Sequence, residues 1–486
     1  FNTRFSERSL SWSWCCMASW ETASGPLSEA IQVHDVGVSR DPMLPEKGLE
    51  NDNGANHCFL NVVIQALWNL QSFRRRLLLA PEHPHEPFAQ GFENRTEEST
   101  VDVSEVDGVY CALKSVFSGF DASEATTLPP DALRLALSKV YNTEGRFKIG
   151  EMEDATETIE ALLGILHAWH VRHPNAIESI DDQCKACSSS SSECRHVSAA
   201  ARVEEASNFG CHPLCLGHEV CGIEYVDLPR CTFCGATGEP SVLGSYLYSA
   251  YVTELLNCQS KPAGLTEAEI QQIASDPLSL LQDAVIQLTS RLAGSRPCSM
   301  QEALRQLCQR EEGQKCGDCS SRKTMVMERW LTRRPHVFIV SLAWPSSSPG
   351  REAIWLVLQM IRPTLRLEEI FRTANAKGGQ FQSASSSTDA VSGYAFHGLI
   401  CYYGMHYIAL FWCPTRKRWI LFDDTCVREK EDWNSVANFI MTGQYVPTLV
   451  FYERLEDESP ALLESFEELA RQVDSLEDRT SSCVVA

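Results

Sequence analysis

Helix-period apolar patterns fill the early part of the chain and strand-period patterns the last part, which predicts an α+β fold with the two kinds of element segregated. From Cys58, apolar residues recur at three and four, and they do so again from about Glu153. From His397 to Tyr452, aromatic and β-branched residues alternate instead, as antiparallel strands require. Between these regions, cysteine pairs bracket short strands and helices over about 208–325.

Residues 1–44 are Ser-rich and aperiodic and read as a disordered leader. Trp12, Trp14 and Trp20 lie in it without the charged-then-apolar order of a secretory signal, and Met17 is a candidate start. The first helix begins at Cys58, with Phe59, Leu60, Val63, Ile64, Leu67 and Leu70 inward, and is expected to end in the cluster Arg74-Arg75-Arg76. The second begins near Glu153, with Ala155, Ile159, Leu162, Leu163 and Leu166 inward; Asp154 and Glu157 near its start complement the helix dipole. The run Ser188 to Ser192 marks a loop over 185–206. Ser299 and Glu302 form a capping box ahead of Ala303, Leu304 and Leu307. Pro335 to Leu342 reads as a buried strand, Lys377 to Gly393 as a polar loop, and Cys413 to Arg416 as a turn between strands. The acidic tail, 456–486, carries Leu462, Phe466, Leu469, Val473 and Leu476 at the spacing of one short amphipathic helix.

A formal charge of −22 argues against a nucleic-acid partner, which needs clustered Lys and Arg, and suits a partner with a basic face. The 21 cysteines, several in Cys-x-x-Cys pairs, favour thiolates and zinc in a reducing compartment, cytoplasmic or nuclear, over a disulfide framework. No apolar run reaches the roughly 18–20 residues that span a bilayer, so no transmembrane segment is expected.

Two distant stretches carry the chemistry. Gly48-Leu-Glu-Asn51-Asp-Asn53-Gly-Ala-Asn-His57-Cys58-Phe-Leu-Asn61 sets a cysteine at a helix start behind an Asn/Gly-rich loop. Gly404-Met405-His406-Tyr407 is followed by Trp419-Ile-Leu-Phe-Asp423-Asp424. A cysteine attacks a carbonyl as its thiolate, which a helix N-terminus and an adjacent imidazole favour, and a carboxylate orients that imidazole. The loop can aim backbone N–H groups and an Asn amide at an oxyanion. Alone, Cys58 would read as a small buried hydrophobe and His406 as an ordinary strand histidine. The joint pattern points to a nucleophile, base and orienting acid in Cys58, His406 and Asp423.

In these residues the chain resembles the ubiquitin-specific proteases. Gly48-Leu49-Glu50-Asn51, Cys58-Phe59-Leu60-Asn61 and Ile64-Gln65-Ala66-Leu67 resemble the family's cysteine box. His406-Tyr407 and Trp419 to Asp424 resemble its histidine box, and Glu151 to Asp154 its intermediate acidic box. The resemblance covers roughly residues 45–455. It implies a papain-like fold of thumb, palm and zinc-ribbon fingers, and a cysteine-type deubiquitinase cutting after the C-terminal glycine of ubiquitin. His406 and Asp423, 17 residues apart, are expected to face each other on paired strands. Asn51 is expected to be the oxyanion donor, with Asn53 the alternative, and Asp424 to assist the water or the ring. Asp154 and Glu157 are expected to contact ubiquitin. The chain departs from the family where Asn51 stands seven residues before the cysteine rather than five, where His57 replaces Thr or Ser, and where Met405 replaces Gly. The longer loop resembles a divergent branch that includes plant ubiquitin-hydrolase-related proteins and animal members labelled inactive, so a ubiquitin-binding scaffold is the rival expectation.

Cys231-Thr-Phe-Cys234 and Cys316-Gly-Asp-Cys319 are two knuckles whose four thiolates suit one tetrahedral structural zinc. Cys211, Cys215 and His218 form a second ligand set, with Cys184, Cys187 or Cys194 as its fourth member. Cys483-Val484-Val485-Ala486 matches a prenylation pattern, a weak anchor beside so acidic a tail.

Overall fold

The computed structural model describes residues 46–80, 103–173, 214–258, 298–308, 315–319, 325–373, 393–454 and 460–474. The leader, the loops at 185–206 and 377–392, and Cys483 lie outside them.

The helical part holds α1 (Cys58–Asn69), α2 (Gln71–Leu79), α3 (Val103–Ala122), α4 (Asp131–Val140), α5 (Ala155–Arg172) and α6 (Leu216–Cys221). α3 and α4 are additional to the two helices expected. α1 is buried from Cys58 through Trp68, so it is a central helix rather than an amphipathic one. It stops at Asn69 because Leu70 is extended, and the arginine cluster falls within α2. The break is set by tertiary structure: the buried carboxylate of Glu453 accepts hydrogen bonds from the N–H groups of Gln71 and Ser72, capping α2 from a distant strand.

The main sheet runs β13 (Cys426–Lys430), β12 (Arg418–Asp423), β11 (His406–Cys413), β10 (Tyr394–Tyr403), β14 (Val446–Arg454), β7 (Val337–Ala343) and β5 (Tyr248–Tyr251), with β8 (Thr364–Leu365) beside β10. Its pairings are antiparallel except β5 with β7. Alternation decides its two faces. Ile400, Tyr407, Ala409, Phe411, Ile420 and Phe422 pack in one core with α1. Leu399, Ile408, Leu410, Trp412, Trp419 and Leu421 pack in a second core under the helices Arg351–Met360 and Trp433–Gly443.

A separate sheet, β4 (Ser241–Ser245), β3 (Ile223–Cys231), β6 (Met325–Arg333) and β9 (Arg372–Thr373), carries the cysteine knuckles. The helix Met300–Leu307 has the expected capping box between Ser299 and Glu302. β1 (Gly48–Leu49) and β2 (Thr127–Leu128) make a short parallel pair. The tail helix, Pro460–Asp474, belongs to the body: Leu469 and Val473 are buried in the second core, and Ser465 accepts a hydrogen bond from Trp412 Nε1 at 2.9 Å. No helix among the described residues is long and apolar enough to cross a membrane.

Candidate active site

Cys58 is the first residue of α1 and is buried, 3% exposed. Peptide dipoles favour negative charge at that position, and α1 lies against the sheet that carries His406. Tyr403 pairs with His406 across a two-residue hairpin, in which Gly404 and Met405 both have positive φ, 54° and 67°. A turn of this kind suits glycine at both places, so Met405 holds a left-handed backbone at a cost of about 1 kcal/mol. The hairpin sets His406 at the head of β11.

His406 Nε2 donates to Asp423 Oδ1 at 2.7 Å. β11 and β12 pair with Ala409 opposite Phe422, and in that register His406 and Asp423 are diagonal neighbours rather than directly opposed. A diagonal pair still shares a face of the sheet and lies within side-chain reach. The hydrogen bond to Asp423, with a further contribution from the nearby Cys58 side chain, raises the pKa of His406 to about 10, against the opposing effect of burial. The imidazolium form so favoured is the counter-ion a thiolate needs.

The lengthened loop bulges outward. Ala55 N–H bonds Asp52 O at 2.9 Å, closing an exposed turn that carries Asn53 and Gly54. Asn51, just before this turn, is half-buried. Asn51 Oδ1 accepts the N–H of His57 at 2.8 Å, and its Nδ2 donates to Asp424 Oδ2 at 2.8 Å. Asn61 Nδ2 donates to Asp424 Oδ1, also at 2.8 Å, and to Glu50 O at 3.1 Å. One carboxylate thus holds both asparagines of the cysteine box. Burial lowers the pKa of the His57 imidazole.

The backbone makes the same tie. Leu49 N–H bonds Asp424 O at 3.0 Å. A Cβ on Gly48 would lie 2.8 Å from Asp424 O and from Thr425 Cα, so only glycine lets β1 approach the β12–β13 turn this closely. Asp424 itself sits at φ 52°, a conformation that Asp tolerates in tight turns.

Asp154 is exposed and caps α5, its Oδ1 accepting from Thr156 N–H and Glu157 N–H, while its Oδ2 accepts from Tyr407 O–H at 2.8 Å. Glu157 is exposed and pairs with Arg146 at 3.0 Å. Asp154 therefore joins the start of α5 to the residue after His406. Sequence reading missed the tying roles of Asn61 and Tyr407. For Asn61 the signal was present: three residues after Cys58, it lies on the same side of α1.

The thiols of Cys231, Cys234, Cys316 and Cys319 converge, all within 4.8 Å of one another. Cys231 and Cys319 are 3.7 Å apart at sulfur, and Cys234 and Cys316 are 3.6 Å apart. These spacings are far beyond a disulfide and close to the edge, about 3.8 Å, of a tetrahedron with 2.3 Å metal–sulfur bonds. Gly235, at φ 77°, turns the first knuckle back so that Cys231 N–H bonds Ala236 O. The cluster can hold a metal ion. Of the second expected set, Cys215 and His218 come together, with Cys215 Sγ 3.1 Å from His218 Nδ1. Cys211, Cys184, Cys187 and Cys194 lie outside the described residues.

The family model described as ubiquitin carboxyl-terminal hydrolase matches residues 48–452. The chain is 27% identical over 410 residues to ubiquitin carboxyl-terminal hydrolase 54 of Rattus norvegicus, a match covering 84% of this chain and 20% of that protein. It is 25% identical over 416 residues to ubiquitin carboxyl-terminal hydrolase 53 of Homo sapiens, covering 84% of this chain and 30% of that one. The chain therefore spans less than a third of the length of either relative. Among solved structures, the SAGA Ubp8/Sgf11/Sus1/Sgf73 DUB module bound to ubiquitin aldehyde is similar at 13% identity and a TM-score of 0.48, over 86% of this chain and 71% of that one.

Proposed function

The chain belongs to the ubiquitin carboxyl-terminal hydrolase family, and from this we propose that it is a cysteine-type deubiquitinase acting on the bond after the C-terminal glycine of ubiquitin. The observation that carries the proposal is the convergence of a helix-N-terminal Cys58 with His406, whose Nε2 is held by Asp423 at 2.7 Å. In the reaction, Cys58 Sγ attacks the glycine carbonyl carbon and its electron pair moves to oxygen. The backbone N–H groups at the start of α1 and the Asn51 amide proton not bonded to Asp424 are the donors for that oxyanion. His406 gives its proton to the departing amine as the C–N bond breaks, leaving a thioester. Water then attacks the thioester, His406 takes its proton, and Cys58 leaves as the thiolate, restoring the thiolate–imidazolium pair. Asp423 keeps the imidazole oriented throughout without itself being protonated.

Exposed Asp154 and Glu157 support a contact with the basic tail of ubiquitin. The four-cysteine cluster supports a structural zinc held by Cys231, Cys234, Cys316 and Cys319. Such an ion would cross-link the knuckles at the ends of β3 and β6 and take no part in bond cleavage.

The test is turnover of ubiquitin carrying a fluorogenic C-terminal amide. Wild-type protein is expected to release the fluorophore, and Cys58→Ala to lose at least about a thousandfold. The bonds that tie the Asn51 amide to Asp424 and His57 favour a second reading, a ubiquitin-binding scaffold whose oxyanion donor is held back. Saturable ubiquitin binding by wild-type protein without release would select it.

A further inference from the structure

Outside the fingers cluster and the active site, one other group of metal-ligating side chains converges among the described residues: His167, Cys215 and His218, whose ligand atoms all lie within 4.8 Å of one another. His167 comes from α5, a helix whose sequence pattern gave no hint of a ligand. Cys215 and His218 come from the start of α6, where Cys215 Sγ stands 3.1 Å from His218 Nδ1. The His167 and His218 rings meet edge to face with centroids 4.7 Å apart. Cys215 and His218 are both buried. His167 Nδ1 is buried as well and has no hydrogen-bond partner, which carries a cost unless something satisfies it.

From this geometry we propose that His167, Cys215 and His218 form a second zinc site, distinct from the four-cysteine cluster. Ligand type argues for zinc. Two imidazoles and a thiolate suit Zn²⁺ and are wrong for Ca²⁺ or Mg²⁺, which take oxygen ligands. Spacing agrees too. Nitrogen and sulfur at ordinary zinc distances, about 2.0 and 2.3 Å, stand on the order of 3.5 Å apart in a tetrahedron, so the three atoms need to move only by tenths of an ångström to about one ångström to enclose an ion.

The place in the fold gives the site a task. α6 leads through Gly222 into β3 of the fingers sheet, and Asp154, the cap of α5, bonds Tyr407. At Gly217 the two helices approach so closely that a Cβ would lie 3.0 Å from Leu163 O. An ion bridging His167 to Cys215 and His218 would pin the root of the fingers to the helix that borders the active site.

The experiment is a metal count on the purified full chain by plasma mass spectrometry, after loosely bound ions are removed. Two zinc ions per chain are expected for wild-type protein, one for His167→Ala, one for Cys215→Ser and one for the fingers variant Cys316→Ser. Combining Cys215→Ser with Cys316→Ser should leave none. A wild-type count of one, falling to none in Cys316→Ser, overturns the proposal. Zinc-edge X-ray absorption on wild-type protein serves if the variants misfold. A mixed nitrogen and sulfur shell is expected, and a shell of sulfur alone refutes the second site.

Discussion

Replacing Asp424 by Asn isolates the tie between the two halves of the active site. The carboxylate accepts one amide N–H from Asn51 and one from Asn61, each at 2.8 Å. A carboxamide of the same shape has a single acceptor oxygen, so one bond survives and the other becomes two N–H groups facing each other. Hydrogen bonds to a charged acceptor contribute about 1.5–3 kcal/mol each, and the lower end applies to a half-exposed group such as this one. Loss of one bond should therefore cost about 1.5 kcal/mol in holding the cysteine loop, or roughly tenfold in kcat/KM. Asp424→Ala removes both bonds and should cost about a hundredfold. The assay is turnover of the fluorogenic ubiquitin amide, alongside thermal melting to establish that each variant is folded. Activity of Asp424→Asn within twofold of wild type would refute the reasoning, because the carboxylate would then not be what positions Asn51.

Three further outcomes are expected. By NMR, the His406 imidazole should titrate near 10; since this lies above its ordinary value of about 6.5, the stabilisation it brings is complete below 6.5 and lost as pH rises through 10, and Asp423→Asn should move the midpoint down. A wild-type midpoint near 6.5 would contradict the geometry. Cys316→Ser should abolish zinc binding at the proposed four-cysteine site, lower the thermal midpoint and raise KM for ubiquitin, with alkylation of Cys58 by a small neutral reagent unchanged. Leu469→Ala should cost about 2–4 kcal/mol in chemical denaturation and leave kcat/KM of the folded protein as it was, because Leu469 anchors the tail helix in the second core.

Apolar spacing made α1, α5 and the strands β10, β11, β12 and β14 legible, but the helix Trp433–Gly443, which lies within the stretch read as strands, was not, because its apolar residues stand among the same aromatic and β-branched types. The end of α1 was not legible, since it depends on the Glu453 carboxylate, which is more than 380 residues away in the chain. Cys58, His406 and Asp423 stood out by residue type and motif. The part played by Asp424 did not, because its partners Asn51 and Asn61 meet it only when β1 crosses the β12–β13 turn. Glycine 48 marks that crossing, but sequence alone does not say what it must pass. His167 was hidden for a similar reason: on α5 it is one polar residue among many, and only the packing of α6 gives it ligand neighbours. The loop before Cys58 closes an exposed turn, Ala55 N–H to Asp52 O, while Asn51 bonds Asp424.

The central claim is that Cys58 is the nucleophile toward the ubiquitin C-terminus. Intact mass spectrometry after incubation with ubiquitin bearing a C-terminal electrophile tests it directly. Wild-type protein should gain the mass of one ubiquitin and Cys58→Ser none. An unmodified wild-type chain, or an adduct that persists in Cys58→Ser, would contradict it.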